Sequence, residues 1–177
     1  MLGYDDALSP GEPRARQEPL ERAAAVQVGL LQFAWSRLDM HLGLSLGWAR
    51  GEGAPAASRE AGLGLDFHAK LDALAALLAK QPESEWREGL TRWIAQCRAL
   101  EVLAPGFMQG RWLPDVRSGR IVHLYLAPGG QVAERSHTLL ELKALVGALD
   151  QQRADLQTLR YAAGQEARRA AARRATA

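Results

Sequence analysis

The sequence predicts a mainly α protein, a helical bundle of about four helices with a small β-hairpin inserted before the last helix. Three observations predict it. Four segments carry apolar residues at steps of three and four, the spacing of one helix face. One short segment alternates with period two, as a half-buried strand does. Glycine and proline clusters separate these segments.

The first helix is expected over residues 20–48, where Leu31, Trp35, Leu38, Leu42 and Ser45/Leu46 share a face. Gly43 and Gly47 lie one turn apart within it. They either admit a closely packed helix or let this one fray. Residues 51–64 read as a loop. A second helix carries Phe67, Leu71, Leu74 and Leu78 and stops by Pro82. A third starts at the N-cap Ser84 and carries Trp86, Leu90, Trp93, Cys97, Leu100 and Ala104 before Pro105-Gly106 ends it. Residues 112–116 and 120–126 then read as a hairpin around Arg117-Ser118-Gly119. After the turn Pro128-Gly129-Gly130, a short third strand fits residues 131–134. The last helix opens at Thr138 with a capping box to Glu141, and Leu142, Leu145, Val146, Leu149, Leu156 and Leu159 form its apolar face.

Composition narrows the classes of function. Hydrophobic residues make up 47% of the 177, enough to build a core. The lone Cys97 excludes an internal disulfide and a cysteine metal site. It falls on an apolar stripe and reads as a small core residue. No segment combines a basic start with an apolar run, and charges interrupt the longest apolar stretch. Neither a signal peptide nor a membrane span is expected, and the expected location is cytoplasmic. The net charge of +2 hides an imbalance: residues 161–177 hold +3, leaving −1 for residues 1–160. Nucleic-acid affinity, if present, is therefore expected of the C-terminal tail.

The four histidines, His41, His68, His123 and His137, include no pair at helical ligand spacing, so no metal or other cofactor is expected. Glu83 and Glu85 suit a helix N-terminus. Trp112 either covers the core edge or forms an exposed ledge. The hairpin gathers the side chains that could contact RNA or a partner: Arg111, Trp112, Arg120 and His123, with Arg98 on the preceding helix.

Four short patterns stand in order: Trp35-Ser36-Arg37-Leu38-Asp39, Phe67-His68-Ala69-Lys70-Leu71, Gly110-Arg111-Trp112 and the run from Thr138 to Leu142. In this order the chain, over roughly residues 22–160, resembles the bacterial HEPN-type helical proteins. The resemblance implies a helical bundle, often a homodimer. It also implies, in members that cut RNA, an Arg-Asn-x-x-x-His motif near a helix end. Here that motif should lie within residues 98–106. Registered on Gly106, its positions hold Leu100, Glu101 and Pro105; registered on Arg98, Ala99 and Leu103 fill the last two. Neither register supplies a histidine, so no catalytic residue carries over.

The domains expected are a flexible segment over 1–20, a HEPN-like helical domain over 21–161 and an Ala/Arg-rich tail over 162–177. The function expected is a non-catalytic interaction or regulatory module, in a toxin–antitoxin-like or defence setting, working as a homodimer or with a protein partner. The alternatives are a divergent metal-independent ribonuclease or RNA-binding protein using Arg98, Arg111 and His123, and a structural helical protein unrelated to HEPN. Leu103 and Pro105 can move no proton, and lost general acid–base help costs about 10²- to 10⁴-fold. Purified protein is expected to leave labelled single-stranded RNA uncut in EDTA. Cleavage that disappears in His123→Ala would overturn this and make His123 the base.

Overall fold

The computed structural model describes residues 12–49, 64–101, 110–127 and 129–175. Among these it is mainly helical, with four helices and one three-stranded antiparallel sheet placed before the last helix. The helices are α1 (Glu12–Ala49), α2 (Phe67–Leu78), α3 (Glu85–Glu101) and α4 (Leu139–Ala175). The strands are β1 (Arg111–Asp115), β2 (Arg120–Leu126) and β3 (Val132–His137). The chain forms two compact units. The first holds α1 up to Phe33, the sheet, and α4 up to Val146. The second holds α1 from Ala34, then α2, α3 and the rest of α4.

Local chemistry fixes the helix starts. Asp66, in an extended conformation, accepts from the Ala69 amide at 2.7 Å and caps α2. Ser84 Oγ accepts from Arg87 N at 3.4 Å at the head of α3. At the head of α4 the capping box is closed both ways: Glu141 N donates to Thr138 Oγ1 at 3.1 Å, and Thr138 N donates to Glu141 Oε2 at 2.7 Å. The end of the third-helix stripe at Ala104, and the Pro105-Gly106 stop, lie outside the described residues.

Three elements run further than expected. Helix α1 begins at Glu12, ahead of the expected start at residue 20. Pro13 falls in the first turn, where an amide has no intrahelical acceptor to lose. Pro19 removes one bond from the ladder, while Glu18 and Arg22 pair across it at 2.8 Å. The short third strand expected over 131–134 is β3, Val132–His137, whose six residues pair fully with β2 from Leu126↔Val132 to Ile121↔His137. The tail is helical to Ala175, and Ala163 within it is buried. Alanine and arginine favour helix, and a methyl suffices to fill a close contact.

In the first unit Ala24, Leu31, Ile121 and Leu142 form the core, joined by His123. In the second, Leu38, Leu42 and Leu46 of α1, the α2 stripe Phe67, Leu71, Leu74 and Leu78, and Leu90, Trp93, Ile94 and Cys97 of α3 are buried with Leu149 and Leu156 of α4. Trp93 Nε1 donates to the Gln152 carbonyl at 2.8 Å, which satisfies the one polar atom of the largest buried side chain. A methyl on Gly89 would meet Leu159 Cδ2 at 2.6 Å, so alanine there would require the Leu159 side chain to turn aside where α3 meets α4. Gly43 and Gly47 are buried within the chain and offer no surface to a second copy.

A buried ion pair joins α1 to α2. Lys70 is 4% exposed, and its ammonium donates to both carboxylate oxygens of Asp39, at 2.7 and 2.8 Å. One turn before each charge, Trp35 packs on Phe67 with ring centroids 4.4 Å apart. Truncating Asp39 would strand a buried ammonium, whereas Asp39 without Lys70 can hydrate, since a third of its side chain is exposed. Asp39→Ala is expected to cost about 3–5 kcal/mol and Lys70→Met about 1–2 kcal/mol, measured by urea unfolding. Equal losses, or the reverse order, would contradict the burial argument.

Candidate functional site

The candidate residues divide between the two units. Arg111, Trp112, Arg120 and His123 belong to the first. Arg98 belongs to the second, on α3, where it donates to Asp72 of α2. Of the motif positions, Leu100 and Glu101 lie in the last turn of α3, while Leu103, Pro105 and Gly106 are outside the described residues.

Within the first unit the pleat sorts the candidates by face. Successive strand residues point to opposite sides, so Trp112, Ile121, His123, Tyr125, Arg135 and His137 share one face through their cross-strand pairing. Arg111 and Arg120 take the other. Trp112, paired with His123, lies flat on it: ring centroids are 4.0 Å apart and the planes differ by 9°. His123 also stacks on Tyr125 at 5.1 Å, His137 sits 5.8 Å from the Trp112 ring, and the Arg135 guanidinium lies 5.3 Å over Tyr125. Trp112 is half-buried, and its ring covers His123, which is 1% exposed.

Gly110 explains why this packing is possible. Its φ of +109° lies in the region that favours glycine, and a Cβ there would collide with the Leu124 carbonyl and come 2.9 Å from His123 Nε2. The strand can thus start directly beside the imidazole.

Arg120 has a structural assignment. Its Nε donates to Ser136 Oγ at 2.7 Å, and Nη2 donates to the Ser136 carbonyl at 2.8 Å and to Glu141 Oε2 at 3.3 Å. The same Glu141 closes the capping box, so one carboxylate joins β2, β3 and the head of α4. Hydrogen bonding from Thr138, aided by Arg120, holds the Glu141 carboxyl below its usual range. Burial pushes the His137 pKa down, with His123, Arg135 and Arg120 adding to the effect and Glu141 opposing it. Chemically, the face holds a buried imidazole under an indole lid, flanked by a phenol and a guanidinium.

Two groupings escaped the sequence reading. Asp39 and Lys70 were visible only as parts of separate patterns, although a lysine amid the stripe Phe67, Leu71 and Leu74 signals a buried charge in need of a partner. His41, half-buried on α1, lies near Arg153 and Arg160 of α4, and burial followed by those two cations lowers its pKa. No described residues form a group of three or more histidine, cysteine or acidic side chains able to hold a metal. Among the described residues no helix is long and apolar enough to cross a membrane. The chain matches no protein-family model, no curated protein and no solved structure.

The lowered histidines give stability a sign with pH. Folded pKa values below the ordinary 6.5 mean that the unfolded chain binds more protons as pH falls. Their contribution is complete above 6.5 and is lost as pH falls through that value toward the folded pKa values. The carboxylates Asp115 and Glu141, with ordinary values of 3.8 and 4.5, stay ionised near neutrality and do not offset it. Urea midpoints are expected to fall between pH 7.5 and 5.5, and to fall less in His137→Asn. A flat profile in the parent chain would contradict this.

Proposed function

We propose that the chain is a non-catalytic, HEPN-like interaction module that acts through protein association and pairs with a second copy of itself. The observation that carries this reading is a second apolar face on α1. Val26, Leu30 and Phe33, at steps of four and three, are 55%, 44% and 70% exposed, on the side of the helix away from buried Ala24 and Leu31. Val26 continues into an open groove of about 700 Å³ with Pro19, Ala23, Gln27 and Leu139, and the Glu18–Arg22 pair stands at its rim. Of the ten exposed large hydrophobic residues among the described ones, seven lie in the first unit, so association is assigned there.

The engaged state of three candidates, Arg98, Arg120 and His123, supports the non-catalytic part. Arg98 is held by Asp72, Arg120 by Ser136 and Glu141, and His123 lies beneath Trp112. A two-fold contact is the commonest way for a chain to cover such a face.

Light scattering at micromolar concentration is expected to give the mass of a dimer, and Phe33→Glu that of a monomer with an unchanged circular dichroism spectrum. A parent chain that is monomeric, or a variant that remains dimeric, would remove the reading.

A further inference from the structure

Pairing through α1 makes no use of the outer face of the sheet. Side chains alternate along a pleated strand, so Val122, Leu124 and Leu126 of β2 point to this face, with Leu113 of β1 and Val132 of β3 beside them. Leu113, Leu126 and Val132 are 37%, 63% and 73% exposed. Three strands and three rows of outward side chains cover about 15 by 20 Å, or about 300 Å² in all. Beyond the Leu113–Val122 row, the bonds of Arg120 to Ser136 and Glu141 close one end of this apolar surface.

Register places the charges on its flanks. Leu124 pairs with Arg111 of β1 on one side and with Glu134 of β3 on the other. A guanidinium and a carboxylate therefore stand in one row, either side of the apolar ridge that β2 supplies. Their strands lie about 10 Å apart. Both residues are exposed, and among the described residues neither has an ion-pair partner. Arg111 is also the hairpin candidate to which no contact within the chain gives a role.

We infer that this face docks on the same face of a second copy, about a two-fold axis lying along β2. Rotation about that axis sets β1 of one copy over β3 of the other. Arg111 then meets Glu134 of the second copy, and Glu134 meets its Arg111, while Val122, Leu124 and Leu126 pack on their own counterparts. A two-fold running across the strands instead stacks Arg111 on Arg111 and Glu134 on Glu134, or sets both against apolar residues. Like charges in contact disfavour the first, and desolvated charge without a partner disfavours the second. Charge complementarity thus selects both the occupant and the direction of its strands. Sheets stacked face to face keep their strands within about 30° of each other, which this axis allows. Area sets the strength. A patch of about 300 Å² is well below the roughly 800 Å² per partner of a standard interface, so the contact forms between concentrated copies. It does not depend on α1 pairing, and a chain that uses both contacts assembles beyond a dimer.

The test is sedimentation velocity on the full chain from about 10 μM to about 1 mM, the range in which an interface of this size associates. Phe33→Glu is run beside the parent chain. Mass is expected to grow with concentration in both, from dimer upward in the parent and from monomer to dimer in Phe33→Glu. Arg111→Glu and Glu134→Arg are each expected to weaken that growth about tenfold or more, because each puts like charges face to face twice. The double variant Arg111→Glu/Glu134→Arg is expected to recover it, which neither a lost fold nor a general change of charge would do. Absence of growth up to about 1 mM would overturn the pairing of sheet faces. So would single variants that associate like the parent, or a double variant that stays weak; either result leaves the face to a different protein. A parent that is monomeric at about 10 μM, yet associates at higher concentration with this charge dependence, removes the α1 reading and leaves the sheet contact standing.

Discussion

A buried ammonium must find a carboxylate, and in this chain that requirement fixes how α1 and α2 are joined. Lys70 sits among the apolar residues of α2, where its charge is tolerable only because both oxygens of Asp39 receive it. The ring contact one turn away, Trp35 on Phe67, supplies burial but little register, since apolar surfaces can slide. The ion pair supplies the register.

The first unit uses a different device for the same end. Glu141 begins as a local signal, the acidic half of a capping box, and ends as a junction, because Arg120 reaches it while gripping Ser136. A helix start, a central strand and an edge strand therefore share one anion. Trp112 and His123 complete the inner layer of that sheet, and Gly110 makes room for them.

What the sequence made legible follows the range of the interactions. The helical stripes, the caps at Ser84 and Thr138 and the turn at Gly129-Gly130 all depend on neighbours within four residues, and they appear where expected. The proline-bearing start of α1 misled because proline reads as a breaker, whereas Pro13 occupies a turn that tolerates it. Strand β3, Val132–His137, carries little apolar pattern of its own and is held by its pairing with β2. Long-range pairs were invisible for the same reason. Lys70 and Asp39 are separated by 31 residues, and nothing local to either names the other. The candidate residues at the hairpin were chosen by type, and type alone could not say that Trp112 would lie flat over His123 or that Arg98 would be held by Asp72.

Where α3 meets α4, one contact rests on an absence of atoms. Gly89 leaves the room that Leu159 fills, and the two positions together conserve one volume rather than two identities. Drift at either site is then conditional on the other: alanine at 89 requires the Leu159 side chain to turn aside, and a shorter or differently branched residue at 159 removes that requirement. Sequences descended from this one should show the pair trading bulk, and a single substitution transplanted from such a relative would look harmful in this background while being neutral in its own.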